Sequence, residues 1–337
     1  MSKPALPTLE DVAKAANVST ATVSRCLNSP ERVAEQTRDK ILAAVDSLGY
    51  SPNFGAKALA TKRTNTIGAI IPTMANAIFA RGLQAFQETL GTHGATLLVA
   101  SSYYDPEIEE QQIRSMIARG ADGLLLIGQS RSERVYEFIK RQNIPIVIAW
   151  SYDKNSEHNM VGFDNTAASR TLTQRAIEMG HKRFAFMSAE RRHNDRARDR
   201  VEGAKQALSA ANIDPDSMPV VETPYSIEES GVAFEALLKS PNKPTVVMCG
   251  NDVQAVGALK KARELGLRVP EDISITGFDD LEITTIVEPG ITTVHVPHRQ
   301  MGQAAAEILI HENPDTQRIE LPTYTVERGS LAAPREH

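Results

Sequence analysis

The sequence predicts an α/β protein in two parts: a small head of three helices containing a helix-turn-helix, and a larger body of doubly wound parallel sheets. Three observations carry this prediction. Between residues 8 and 49 apolar residues recur at spacings of three and four between recognisable caps. From Thr66 onward short apolar runs alternate with amphipathic stretches long enough for helical crossovers. And 337 residues exceed the usual size of one domain.

In the head, Thr8 precedes LEDVAKAA with Asp11 three positions on, a variant of the capping box, and Leu9, Val12 and Ala16 share one side of a short helix. Asn17-Val18-Ser19 breaks it. Ser19 is a good N-cap for a second helix, Thr20 to about Leu27, with an apolar seam of Val18, Val23 and Leu27. A third helix is predicted over Glu35–Leu48, with Ile41, Val45 and Leu48 inward and Gly49 as its left-handed stop. In YSPNFGAKALATKRTNT, Ser51 and Pro52 can open a fourth, very short helix reaching Leu59. With Gly55 inside it, that helix orders only when something packs against it.

In the body, TIGAIIP, ATLLVA, DGLLLIG, IPIVIAW, MVGFDN, RFAFMS, TVVMCG and ISITGFDD read as buried parallel strands. EEQQIRSMIARG and NTAASRTLTQRAIEMGH read as crossover helices, and this many strands imply two sheets.

Composition narrows the function. Apolar residues make up 41% and charged residues 23%, and no run approaches the roughly 20 apolar residues of a membrane span. MSKPALPTLEDV lacks a signal-peptide core, which predicts a cytoplasmic protein with no membrane partner. The cysteines, Cys26 and Cys249, form no CxxC motif. The net charge of −5 conceals an asymmetry: through Arg63 there are nine Lys and Arg against six Asp and Glu, and beyond it 28 against 36. A mildly basic head on an acidic body suits a nucleic-acid module joined to a domain of another kind.

The second helix explains its own odd composition. Val18, Val23 and Leu27 anchor it, leaving Thr20, Ala21, Thr22, Ser24 and Arg25 outward. Small hydroxyls and a methyl allow close approach to base edges in the major groove, and an arginine can donate two bonds to guanine. A polar helix in a plain three-helix cap remains the alternative from this pattern alone. Elsewhere, GxGxxG and Walker loops are absent, so no cofactor is expected, and the histidines of HVPH straddle a strand–proline junction unsuited to a metal. Asp279 and Asp280, adjacent at a strand end, point in alternate directions and suit ligand binding better than paired acid–base work.

These residues carry a resemblance. LEDVAKAANVSTATVSRCLN, then RVAEQTRDKILAAVDSLGYSPNFGAKALATKRTNTIGAIIP, and later NDRARDRVEG, CGNDVQAVGALKKARELGLRVPEDISITGFDD and ITTVHVPHRQMG together resemble the LacI/GalR family of bacterial repressors over essentially the whole chain. The resemblance implies residues 1–50 as DNA-binding domain, 51–64 as hinge helix and linker, and 65–337 as a two-lobed periplasmic-binding-protein-like domain for effector binding and dimerisation. Thr20, Ala21, Thr22 and Arg25 fall on base-reading positions and Ser19 on a phosphate-contacting cap, with Asn28 and Lys57 also in the DNA-binding set. Leu59, in the hinge helix, falls on the residue that wedges into the minor groove of a palindromic operator beside its symmetry mate; packing in the core is its plainer alternative. Ala21 and Gly55 stand where bulkier residues are common in the family.

By the same resemblance one lobe comprises Asn65–Gly162 plus Ile291–Thr323, the other the intervening stretch plus the C-terminus, and an effector sits between them. Arg200 falls on a ligand-gripping arginine, Asp279 on a hydroxyl-binding carboxylate, Asn251 on a sugar-contacting amide, Asn194 and Arg196 on the same loop as Arg200, and Phe79 and Trp150 on cleft walls. Tyr225 and His298 are weaker candidates, read as a loop aromatic and a helix-cap histidine. The loop arginines tilt the effector toward a sugar acid or sugar phosphate over a neutral sugar. With no leucine heptads after RGSLAAPREH, a homodimer is expected. The reading is a non-enzymatic, effector-controlled transcriptional repressor; a transport-type sugar-binding protein and a sugar-processing enzyme are the alternatives.

Overall fold

The structure, a computed structural model, describes residues 6–51, 63–75, 77–311 and 313–335. It divides into two compact units, Met1–Thr64 and Asn65–His337. Lys57, Leu59 and the hinge helix expected around them lie outside the described residues.

The first unit holds α1 (Leu9–Ala16), α2 (Thr20–Asn28) and α3 (Glu35–Leu48). The Asp11 carboxylate accepts from the Thr8 N–H at 2.8 Å while Thr8 Oγ1 accepts from the Asp11 N–H, completing the capping box. Asn17 turns the chain in the left-handed region at φ 52°, and Gly49 ends α3 at φ 61°. Val12, Val23, Cys26 and Ile41 close the core with Ala13, Ala16 and Ala44. Two expectations are corrected here. Cys26 takes the central place on α2 while Val18 and Leu27 pack at its margin. On α3 the buried pair is Ile41 and Ala44, and Leu48 is exposed. The reason is length: at about 1.5 Å per residue the eight-residue α1 covers only part of the 14-residue α3, so the last turn of α3 runs past it.

In the second unit, lobe one contains β1 (Thr66–Ile71), α4 (Ala77–Thr92), β2 (Thr96–Ser101), α5 (Pro106–Ala118), β3 (Gly123–Ile127), α6 (Glu133–Arg141), β4 (Ile146–Ala149) and β5 (Asn159–Gly162). Lobe two contains α7 (Asn165–Glu178), β6 (Phe184–Ser188), α8 (Asp195–Ala210), β7 (Val220–Glu222), α9 (Ile227–Leu238), β8 (Val246–Cys249), α10 (Asp252–Glu264), β9 (Ser274–Thr276) and α11 (Ile283–Ile286). The chain then returns through β10 (Thr293–His295), packs α12 (His298–Ile310) on α4, adds β11 (Arg318–Glu320) to the first sheet, and crosses again as β12 (Tyr324–Val326), antiparallel to β10.

The first sheet runs β11-β5-β4-β3-β1-β2 and the second β7-β6-β8-β9, with parallel pairing throughout. In each, chain order reverses once along the sheet, between β1 and β3 and between β6 and β8, and loops leaving strand C-termini at such points diverge to leave a crevice. Two corrections follow. ATLLVA forms an edge strand with Leu98 and Val99 partly open to solvent, because among the described residues no strand pairs beyond it. Ile291 packs in the core of lobe two and Thr292 bridges Thr276, so the return to lobe one begins after β10, nearer Pro297. No helix among the described residues is long and apolar enough to cross a membrane.

Candidate functional site

On α2, Ser19 caps the helix by accepting from the Thr22 N–H at 3.2 Å, and its hydroxyl lies 2.8 Å from that of Thr22. Thr20, Ala21 and Arg25 are exposed on one helix, with Thr22 half-buried beside them. Asn28 ends the helix and donates its amide to the Ser24 carbonyl at 2.9 Å. This surface offers small groups and one guanidinium, the set a major-groove helix needs.

The second site lies between the lobes, where both switch-point loops converge. Asp279, three residues past the end of β9, is buried with φ 108°, a conformation that costs a non-glycine residue of order 1–3 kcal/mol. Neither of its carboxylate oxygens has a hydrogen-bond partner, and the nearest cation is Arg200 Nη2 at 3.6 Å. Burial pushes its carboxyl up to about 7 even though Arg200 pulls the other way. Arg200 itself is fixed from three sides: Nε donates to Asn165 Oδ1 at 2.9 Å, Nη1 to the Gly250 carbonyl at 2.6 Å, and the guanidinium lies 3.8 Å over the Phe278 ring. Asn165 in turn donates to the Trp150 carbonyl at 3.0 Å, tying this arginine to lobe one.

Asn251 caps α10, and its Oδ1 accepts from the Gln254 N–H at 3.0 Å. Its Nδ2 is buried without a partner. Asn194 caps α8 in the same way, toward Ala197. Phe79 and Trp150 are both fully buried and meet edge to face at 5.6 Å; a Cβ on Gly82 would overlap the indole. Both pack in the hydrophobic core and not on a cleft wall, and Trp150 reaches the polar cluster only through His298. Trp150 Nε1 donates to His298 Nδ1 at 3.0 Å, which places the imidazole proton on Nε2. Nε2 lies near the Asp279 backbone without reaching hydrogen-bond geometry, and burial holds the ring neutral, down to about 3. The N-cap of α12 is Pro297 and no side chain caps it, so His298 is a buried polar group of the cluster and not the helix cap expected.

Arg196 is placed differently from expectation. Its Nη1 pairs with Asp195 Oδ1 at 2.7 Å, both residues are buried, and both pack so tightly on Gly128 of lobe one that a Cβ there would overlap them. Two further loop arginines are engaged, Arg191 with Glu222 at 2.6 Å and Arg198 with the neutral Arg191 and Arg192 carbonyls and with Ser130 Oγ across the cleft, while Arg192 is exposed. Of the four loop arginines, Arg191 and Arg196 are matched by protein carboxylates.

Outward of this cluster a cavity of about 810 Å³ opens between Thr73, Ala75 and Tyr103–Pro106 on one side and residues 189–194, 222–225 and Val253 on the other. Among the expected residues, Asn194 lines it, as does Tyr225. Tyr104 was not foreseen. It comes from lobe one with φ 61°, faces Tyr225 of lobe two at 6.4 Å between ring centres, and sits close enough to Arg196, Arg200 and Asp279 to feel their charge. Its signal in the sequence was position alone, in the loop at the C-terminal end of β2 just before the Asp105 cap.

A two-lobed α/β unit with a polar cleft that follows a separate helix-turn-helix unit in the chain defines the class of DNA-binding regulators. Residues 8–53 match the family described as bacterial regulatory proteins, lacI family, and residues 173–331 the periplasmic binding protein-like domain. The chain is 31% identical to catabolite control protein A of Priestia megaterium, covering 94% of this chain and 96% of that one. It is 34% identical to the HTH-type transcriptional regulator GntR of Escherichia coli K12, covering 90% and 91%. Among solved structures, a LacI family transcriptional regulator from Silicibacter pomeroyi superposes with TM-score 0.87 at 28% identity over 97% and 99% of the two chains. The lac repressor dimer bound to operator and the anti-inducer ONPF superposes with TM-score 0.86 at 25% identity over 98% and 100%. The chain belongs to the LacI family of DNA-binding transcriptional regulators and is not an enzyme.

Proposed function

We propose that this chain is a cytoplasmic, homodimeric repressor of genes for the use of carbohydrates or sugar acids, controlled by a small hydroxylated effector bound between the lobes. The observation that carries the effector reading is the set of buried polar atoms without partners on both sides of one cleft: Asp279 Oδ1 and Oδ2, Asn251 Nδ2 and His298 Nε2. Buried polar atoms are nearly always hydrogen-bonded, so several together describe a ligand with both donors and acceptors. Arg200 and Asn194 complete the site, with Phe79 and Trp150 in the hydrophobic core and Arg196 holding the lobes. Residues 1–50 read DNA through Ser19, Thr20, Ala21, Thr22, Arg25 and Asn28; residues 51–64, with Lys57 and Leu59, form the hinge on a palindromic operator. The lac repressor, solved as a dimer with operator and anti-inducer, supports this arrangement. The exposed edge of β2, with Leu98 and Val99, supports a self-association face.

The test is a thermal-shift screen of sugars, sugar acids and sugar phosphates on the full chain, followed by operator binding with each hit. An effector at 100 times its Kd stabilises the fold by about 2.7 kcal/mol. Stabilisation without any change in operator affinity would sink the control mechanism.

A further inference from the structure

The loop that carries Asp279 is strained at two successive residues. Asp279 at φ 108° and Asp280 at φ 55° both lie in the left-handed half of the backbone map. Aspartate tolerates that region singly, but two such residues in succession persist only where the surrounding structure over-determines them.

The groups that hold the pair come from the strands on which the chain passes between the lobes. The Asp279 N–H donates to the Val294 carbonyl of β10 at 3.0 Å, and the Asp280 N–H reaches Thr293 Oγ1 at 3.4 Å. Thr293 Oγ1 in turn donates to Asp252 Oδ1 at 2.6 Å, while Asp252 Oδ2 accepts from the Leu281 N–H at 2.7 Å. The Asp280 carboxylate does more than these backbone bonds: Oδ1 accepts from Arg328 Nη2 at 2.6 Å and Oδ2 lies 2.8 Å from His295 Nδ1. His295 belongs to β10 and stacks on Tyr324 of β12 with 4.7 Å between ring centres. Arg328, two residues past β12, also donates to Thr284 Oγ1 at 3.0 Å and to the Ile291 carbonyl at 2.9 Å. Burial pushes the Asp280 carboxyl up, but Arg328 and His295 outweigh it and keep the group ionised. One side chain thus ties this loop to the chain leaving both return strands, and its neighbour in sequence carries the carboxylate that accepts no hydrogen bond.

Resting on the reading of Asp279 as an effector-binding carboxylate, we infer that Asp280 is its positioning residue: clamped between His295 and Arg328, it holds the loop in the strained conformation that buries and aims Asp279. The aim of Asp279 therefore follows the course of β10 and β12, and a movement of the lobes that bends those strands moves the carboxylate with them. Released from the clamp, the pair relaxes and carries Asp279 toward water.

Carbon-13 spectra of the full chain labelled at its aspartate carboxyls test this with no ligand present, the Asp279 resonance being the one that Asp279→Asn removes. In the wild type that carboxyl titrates at about 7, and the groups facing it, Arg200, His298, Asp252, Tyr104 and Tyr225, stay unchanged in every variant used. Asp280→Asn and Asp280→Ala remove the same charge, but only the asparagine can still accept from Arg328 and meet His295. Asp280→Ala is expected to weaken proton binding at Asp279 at least ~10-fold as the carboxyl reaches water, and Asp280→Asn to leave it within about twofold. Arg328→Lys, which cannot serve Asp280, Thr284 and the Ile291 carbonyl together, should give a smaller loss of the same sign and takes the place of Asp280→Ala if that variant does not fold. An unmoved Asp279 titration in the folded variant overturns the inference and leaves Asp280 a brace for stability alone; equal shifts in the alanine and asparagine variants overturn it in favour of a simple charge effect. Because no ligand takes part, an effector screen without hits would sink the reading of the cleft and leave this result standing.

Discussion

The carboxylate of Asp279 lies 3.6 Å from the guanidinium of Arg200, both side chains fully buried, and yet accepts no hydrogen bond. Such a carboxyl is held partly protonated: burial raises it from 3.8 to about 7. The folded state then binds more protons than the unfolded state between those values. Stability contributed by this group is complete below about pH 4 and is lost as pH rises through 7. Hydroxyl donors from an effector favour the ionised form, so effector affinity is expected to rise across the same window. Asp252, buried and raised by burial and by Asp279, acts in the same direction. Thermal melts from pH 5 to 8.5 should show the effector-free protein weakening with pH and the effector's stabilising increment growing. Asp279→Asn should flatten both trends and abolish the response to effector while leaving operator binding near wild type. A pH profile identical in the variant would rule out Asp279 as the titrating group.

Arg25 stands exposed on α2, five residues past the Thr20 start of the helix. Bidentate contact to a guanine is worth about 1–3 kcal/mol of discrimination, so Arg25→Ala is expected to weaken operator binding by that amount and relax preference at one position in each half-site. Anisotropy titrations combined with binding-site selection read both. Selection of the wild-type site by the variant would remove Arg25 from the reading set.

Leu98 and Val99 leave apolar surface on the β2 edge, where a second copy would cover it. Leu98→Glu should shift the full chain toward monomer in light scattering at micromolar concentration and weaken binding to a palindrome much more than to a half-site. An unchanged dimer mass would place the self-association face elsewhere.

What was legible in the sequence was what repeats along it. The helix periods, the Thr8 and Ser19 caps, Gly49 and the alternation of apolar runs with crossovers located the head and the two sheets, because these signals are local. The inward face of α3 was misjudged because large side chains weigh more than alanine in a periodic pattern, whereas packing against the short α1 chose Ile41 and Ala44. ATLLVA was read as buried because its apolarity does not say whether a neighbour exists beyond it. In the cleft, Asp279 and Arg200 were found, but the pairing of Arg196 with Asp195, the use of the Asn251 oxygen as a helix cap, and the approach of Tyr104 to Tyr225 join residues 1 to 121 positions apart. The Asp195–Arg196 pair and the Asn251 cap are local, one and three positions apart, and were legible in principle; of these contacts only the approach of Tyr104 to Tyr225 depends on the closure of one lobe on the other.

That closure has its own contacts, and they can be broken without touching the ligand's polar grip. Asp195 Oδ2 accepts from the Gln129 N–H at 2.5 Å, and Arg198 Nη2 donates to Ser130 Oγ at 2.8 Å, each across the cleft. Burial pushes the Asp195 carboxyl up, but Arg196 and the Gln129 N–H outweigh it and keep the group ionised. Between them Gly128 adopts φ 70°, where a side chain is strained, and a Cβ would also overlap Arg196 and Asp195. Gly128→Ala should therefore force the lobes apart, and Asp195→Asn should loosen them. An effector that needs the closed form binds with an affinity reduced by the fraction closed, so its half-saturation should rise, about 5–150-fold for a coupling of 1–3 kcal/mol, more for Gly128→Ala than for Asp195→Asn. Arg196→Ala added to Gly128→Ala relieves part of the overlap and should recover part of the loss, which a merely unfolded variant would not do. Linkage adds a second readout: the factor by which operator changes effector affinity must equal the factor by which effector changes operator affinity in every variant. If Gly128→Ala leaves effector half-saturation unchanged while the fold stays intact by circular dichroism, the clasp does not set the balance between open and closed lobes.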